Sequence, residues 1–143
     1  MEDLQSLVEE FSKLMPAMML GFRNMLFDPQ VLGDLTAPQF ILLAFLTEQV
    51  SCNASSVGEA MHITSGSVSS LTDRLVQRGL IDRSPSNDDR RVVMFSLTPE
   101  GKLKYEEVRK KQLERLSEFF SLLGVEKTST LVALYRDMNQ YLQ

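Results

Sequence analysis

From Leu4 to Met25 the apolar positions Leu4, Leu7, Val8, Phe11, Met15, Met18, Phe22 and Met25 recur at steps of three and four, the period of one helix face. This predicts a long first helix. Pro16 falls inside it, removing one backbone donor, and is expected to bend it, while Phe27-Asp28-Pro29 resists helical continuation and ends it. The methionine-rich stripe suits core packing, because Met fills irregular gaps, but also an adaptable ligand surface. A second helix is announced by Thr36-Ala37-Pro38-Gln39, with a Thr N-cap, a Pro in the first turn and a Gln closing a capping box. It runs on through Phe40, Ile41, Leu43, Ala44 and Leu46, apolar almost all round, as a central buried helix would be.

Asn53 can cap a short third helix through Met61, with Val57, Gly58 and Met61 inward; Gly58 there costs about 1 kcal/mol against Ala, which close approach of a neighbouring helix would explain. After His62-Ile63, where His62 can take a positive backbone angle, Thr64 can cap a fourth helix of about 14 residues. Its inward positions are Val68, Leu71, Leu75 and Val76, and its other face carries Ser67, Ser70, Asp73, Arg74 and Gln77. Arg78-Gly79 is a glycine C-cap signal. Leu80–Arg83 and Val92–Leu97 then read as two strands around the turn-forming Ser84–Asp89. Thr98-Pro99 restarts helix from about Lys102 to Leu123, Gly124 ends it, and a last helix spans about Glu126 to Leu142. The fold class is mainly α with a small β hairpin, in the order of a winged helix-turn-helix. With no repeat or linker, residues 1–143 read as one domain, the winged lobe at 35–98.

Composition removes several chemistries. One cysteine, Cys52, and one histidine, His62, allow no intrachain disulfide and no Cys/His zinc site, so neither metal nor cofactor is expected. No Gly-rich phosphate loop and no nucleophile beside a base is present, so no catalytic residue is assigned and an enzyme is not expected. Cys52 reads as a small buried hydrophobe rather than a redox switch. No apolar run approaches the ~20 residues that cross a bilayer, and the acidic N-terminus is unlike a signal peptide, so a cytoplasmic protein with no membrane partner is expected.

The segments Leu35-Thr36-Ala37-Pro38-Gln39-Phe40, Ile63 to Gly79-Leu80-Ile81-Asp82-Arg83, Asp88-Asp89-Arg90-Arg91 and Ser96-Leu97-Thr98-Pro99-Glu100-Gly101 stand in order and at fitting distances. In this conjunction the chain resembles the MarR family of bacterial transcriptional regulators over nearly its whole length. The resemblance implies a homodimer of winged domains, joined by long helices at 1–27 and 102–143. It further implies repression through a pseudo-palindromic operator in double-stranded DNA, and release when a small aromatic or phenolic effector binds.

The residues support such a reader on their own chemistry. Short side chains on a helix allow close approach to a major groove while longer ones reach base edges, which selects Ser65, Ser67, Ser69, Ser70, Arg74 and Gln77, with Arg74 the foremost base contact. Arg78 is the weaker choice, facing Asp82 or solvent. Relatives often carry a basic residue where Ser70 stands, so fewer phosphate contacts are expected here. In the wing, Arg90 and Arg91 end a turn that can enter a narrow minor groove. The resemblance implies that one wing arginine enters the groove and another is held by the neighbouring aspartate; by position Arg90 takes the groove and Arg91 pairs with Asp89 or Asp88, or the two exchange roles. The family's effector pocket points to Met15, Met18, Phe22 and Arg23, with Phe40 or Phe45 behind them, residues that core or interface packing also suits.

Net charge tests the DNA reading. A formal charge of -4 argues against an anionic partner, and a winged-helix protein-interaction module without DNA binding is the second reading. Yet residues 1–50 hold 2 basic and 7 acidic side chains, residues 51–100 hold 5 and 6, and residues 101–143 hold 8 and 6. The deficit lies in the N-terminal third, and the predicted reading head is nearly neutral.

Overall fold

The structure, a computed structural model, describes residues 3–142; Met1, Glu2 and Gln143, which the expected domain includes, lie outside the described residues. The first helix, α1 (Leu4–Leu26), is capped by Asp3, whose carboxylate accepts from the Ser6 N–H at 2.8 Å, and it continues through Pro16. A one-turn helix follows that periodicity did not reveal, α2 (Pro29–Leu32), since four residues are too few to show a period. Asp28 caps it, and it buries Val31 and Leu32.

Helix α3 (Ala37–Thr47) begins with the expected capping box: Gln39 N–H donates to Thr36 Oγ1 at 3.4 Å and Thr36 N–H to Gln39 Oε1 at 3.0 Å. It buries Phe40, Leu42, Leu43 and Leu46, placing it at the centre of the core, against α4 (Ala54–Met61), α5 (Ser65–Gln77) and α6 (Pro99–Asn139). Phe40 stacks on Tyr105 at 5.5 Å and meets Phe27 edge-on at 6.3 Å.

The expected hairpin is part of a three-stranded antiparallel sheet in the order β1-β3-β2, formed by β1 (Cys52–Asn53), β2 (Ile81–Pro85) and β3 (Val93–Leu97). Cys52 sits opposite Phe95, and Asn53 opposite Met94 while also capping α4 through Ser56 N–H. Two residues carry no readable alternation, so β1 escaped the sequence pattern.

The junction of α4 and α5 is as the sequence suggested. His62 is left-handed at φ 53°, and a Cβ on Gly58 would lie 3.3 Å from the Ile63 carbonyl oxygen. Helix α5 buries Val68, Thr72 and Leu75 and ends in a Schellman motif, with Leu80 N–H donating to Leu75 O and Gly79 N–H to Val76 O. Thr98 joins this end to α6: its hydroxyl donates to Gly79 O at 2.7 Å and accepts from Gly101 N–H at 2.9 Å. Helix α6 is interrupted at Gly124 (φ 79°, ψ 165°), where the sequence divides it, and ends at Asn139 rather than Leu142. Gln112 Nε2 donates to Leu26 O at 2.9 Å and pins α6 to the last turn of α1. Among the described residues no single helix is long and apolar enough to cross a membrane.

Candidate nucleic-acid interface

Helix α5 spans 13 residues, about 20 Å of axis at 1.5 Å per residue. Thr64 caps it, and Ser65, Ser67, Ser69, Ser70, Arg74 and Gln77 are all exposed on it. Ser67 is partly committed, since its Oγ accepts from the Thr64 hydroxyl at 3.0 Å. Buried Thr72 spends its hydroxyl on Val68 O at 2.8 Å and Ser69 O at 3.2 Å, so the polar surface that α5 offers is the exposed set.

The wing tip between β2 and β3 is ordered by its own backbone. Ser86 N–H donates to Val92 O, Val92 N–H to Asp89 O, and Asp89 Oδ1 accepts from the Arg91 N–H at 3.0 Å. This corrects the expected ion pair: the Asp89 carboxylate holds the Arg91 backbone, and among the described residues neither Arg90 nor Arg91 forms a salt bridge. Both arginines are exposed, as is Arg74, which is likewise outside every described ion pair.

Two other arginines are held. Arg83 of β2 bonds Asp73 of α5 and lies 5.7 Å over the Phe95 ring, tying the wing to α5. Arg78, read from sequence as facing Asp82 or solvent, instead binds Asp34: Nη2 to Oδ2 at 2.5 Å and Nη1 to the main-chain oxygen at 3.2 Å. Lys104 Nζ reaches the other Asp34 oxygen at 2.8 Å, and the hydrogen bond from Lys104 pulls the Asp34 carboxyl below its ordinary pKa. Sequence reasoning missed these pairs because Asp34 and Arg78 are 44 positions apart and no periodicity links them.

A cleft of about 780 Å³ lies between the end of α1 and the last segment of α6. Of the residues named for an effector, Met18, Phe22 and Arg23 line it; Met15 does not, and Phe40 is a core residue, 5% exposed, because its ring is packed between Phe27 and Tyr105. Tyr135 and Arg136 also line it, and were not singled out because they belong to an element a hundred positions away. Cys52 is buried, and burial pushes its thiol pKa up, which disfavours the reactive thiolate.

The MarR family model matches residues 35–93, the segment from Leu35 to the start of β3. The chain is 33% identical over 128 residues to the HTH-type transcriptional repressor MdtR of Bacillus subtilis, covering 89% of this chain and 77% of that protein. The chain belongs to the MarR family. It is therefore a transcriptional regulator with a DNA-binding winged helix, and not an enzyme. Its fold is shared with a MarR family protein from Bacillus stearothermophilus (TM-score 0.87, 21% identity, 99% of each chain). It is also shared with a mutant MarR from E. coli complexed with operator DNA (TM-score 0.72, 22% identity, 96% of this chain and 99% of that one).

Proposed function

We propose that this MarR family member is a cytoplasmic repressor that binds a pseudo-palindromic operator as a homodimer and releases it on binding a small aromatic or phenolic anion. One observation carries the DNA assignment: the exposed Ser, Arg and Gln face of α5 lies in the same lobe as a wing tip whose Arg90 and Arg91 are outside every described ion pair. Arg74 with Gln77 reads base edges, the serines admit the helix to the groove, and Arg90 and Arg91 work at the adjacent minor groove. The repressor named among its relatives and the operator complex of a MarR with the same fold support this reading.

For the dimer the support is α1, which buries no residue while exposing Leu4, Phe11, Leu14 and Met19. A monomer rarely leaves so large an apolar face to water. For the effector it is the α1/α6 cleft, whose apolar walls carry two guanidinium groups, Arg23 and Arg136, suited to an anionic ring. Such a ligand acts only by preferring a spacing of the two lobes that differs from half-sites about 34–36 Å apart.

The test is a titration of the purified protein against its own promoter region at several salt concentrations. A steep linear fall of log affinity with log salt is expected; a flat dependence would refute DNA binding and leave the protein-interaction reading.

A further inference from the structure

The Asp34 carboxylate is the meeting point of three elements outside the reading face. It follows α2, accepts from Arg78 at the C-cap of α5 at 2.5 Å, and accepts from Lys104 of α6 at 2.8 Å. Arg78 is held further by the Asp34 main-chain oxygen at 3.2 Å and by Gln39 Oε1 at 3.4 Å, an oxygen fixed in turn by the capping box of α3. Arg78 also stands four residues after Arg74, the spacing at which two side chains of one helix are neighbours. Released, its guanidinium would be a second cation beside Arg74, able to bind phosphate on any sequence, because phosphate contacts carry no base information.

We propose that Asp34 is a positioning and specificity-determining residue for DNA recognition: it holds Arg78 away from DNA and ties the end of α5 to α3 and α6. The proposal rests on the DNA-binding reading above. Two consequences follow from one carboxylate. Withholding Arg78 lowers sequence-blind affinity, and anchoring the C-terminal end of α5 keeps Arg74 and Gln77 in a single register against the bases. The side chain of Asp34 is 63% exposed, so the group is placed for its partners rather than for the core.

The probes are a duplex that the wild-type protein selects from a random-sequence pool and a scrambled duplex of the same length. Affinities for both are measured across a salt series for wild type, Asp34→Asn, Asp34→Glu and Arg78→Gln, with thermal unfolding of each. For Asp34→Asn the preference for the selected duplex should fall about tenfold, while the salt slope on the scrambled duplex steepens by about one unit as Arg78 takes a phosphate. Asp34→Glu should retain the wild-type slope. Arg78→Gln, informative even if the Asn variant does not fold, should lower the preference and leave the slope unchanged.

An unchanged ratio and slope in Asp34→Asn would overturn the proposal, as would a shallower slope in Arg78→Gln, which would make Arg78 a phosphate contact already. A lower melting temperature with an unaltered ratio would reduce Asp34 to a structural role. If the wild type itself selects no duplex, the DNA reading falls and takes this proposal with it.

Discussion

A methyl group on Gly101 would fall 1.9 Å from the Leu80 carbonyl oxygen and 2.9 Å from Leu97 Cδ1. Helix propensity favours Ala over Gly by about 1 kcal/mol, but a backbone carbonyl cannot rotate aside as a flexible side-chain tip can, so the clash decides the sign. Gly101→Ala is therefore expected to lower stability by about 3 kcal/mol in urea unfolding. A change below about 0.5 kcal/mol would mean that the first turn of α6 slides freely on the α5 exit. The sequence marks this glycine only as part of Leu-Thr-Pro-Glu-Gly; the reason for it is a contact with Leu80, 21 positions earlier. Gly58 and His62 were legible because their causes are local, a neighbouring turn and a left-handed cap. Arg78 was misplaced because its partners, the Asp34 carboxylate and Gln39 Oε1, come from a loop and a helix that no period links to α5.

Elements long enough to show a period, or opened by a capping signal, were readable in advance. Thr36, Asn53, Thr64 and Thr98 all cap the helices that their positions announce. The one-turn α2 and two-residue β1 were not readable: the Asp28-Pro29 cap that opens α2 reads equally as the end of α1, and two residues show no alternation. Within the lobe, α5 and the wing should contribute differently to binding. Loss of a wing cation removes a contact made with any sequence, whereas loss of a base-reading arginine also removes discrimination. Arg90→Ala is expected to weaken selected and scrambled duplexes alike and to reduce the salt slope by about one unit. Arg74→Ala should cost about 1–3 kcal/mol on the selected duplex and flatten preference at one base position, read by testing each substitution in the half-site. Intact binding in both variants would remove these two side chains from the interface.

At the scale of the molecule, the charge deficit falls in the segment that contains α1, one of two stretches rich in exposed apolar side chains, the other being the α6 region. Residues 1–50 carry 7 of the 19 acidic side chains and only 2 of the 15 basic ones, and α1 within them buries nothing of its own. The total of -4 thus describes a surface largely apart from the arginines of α5 and the wing, which is how an acidic chain retains a DNA-reading lobe. The same feature makes the proposed dimer testable without damaging the lobe. Phe11 is half exposed and packs in no described core cluster, so Phe11→Asp has no buried contact to lose within one chain. If α1 forms the interface between two copies, the buried charge opposes association, and sedimentation at micromolar concentration should shift from twice the chain mass toward the single chain. A lone lobe engages one half-site and forfeits the gain from linking two, so affinity for a two-half-site duplex should fall by about 10²–10⁴-fold while affinity for an isolated half-site is retained. A dimer that survives the substitution with full operator affinity would place the interface elsewhere and leave the apolar face of α1 to another partner.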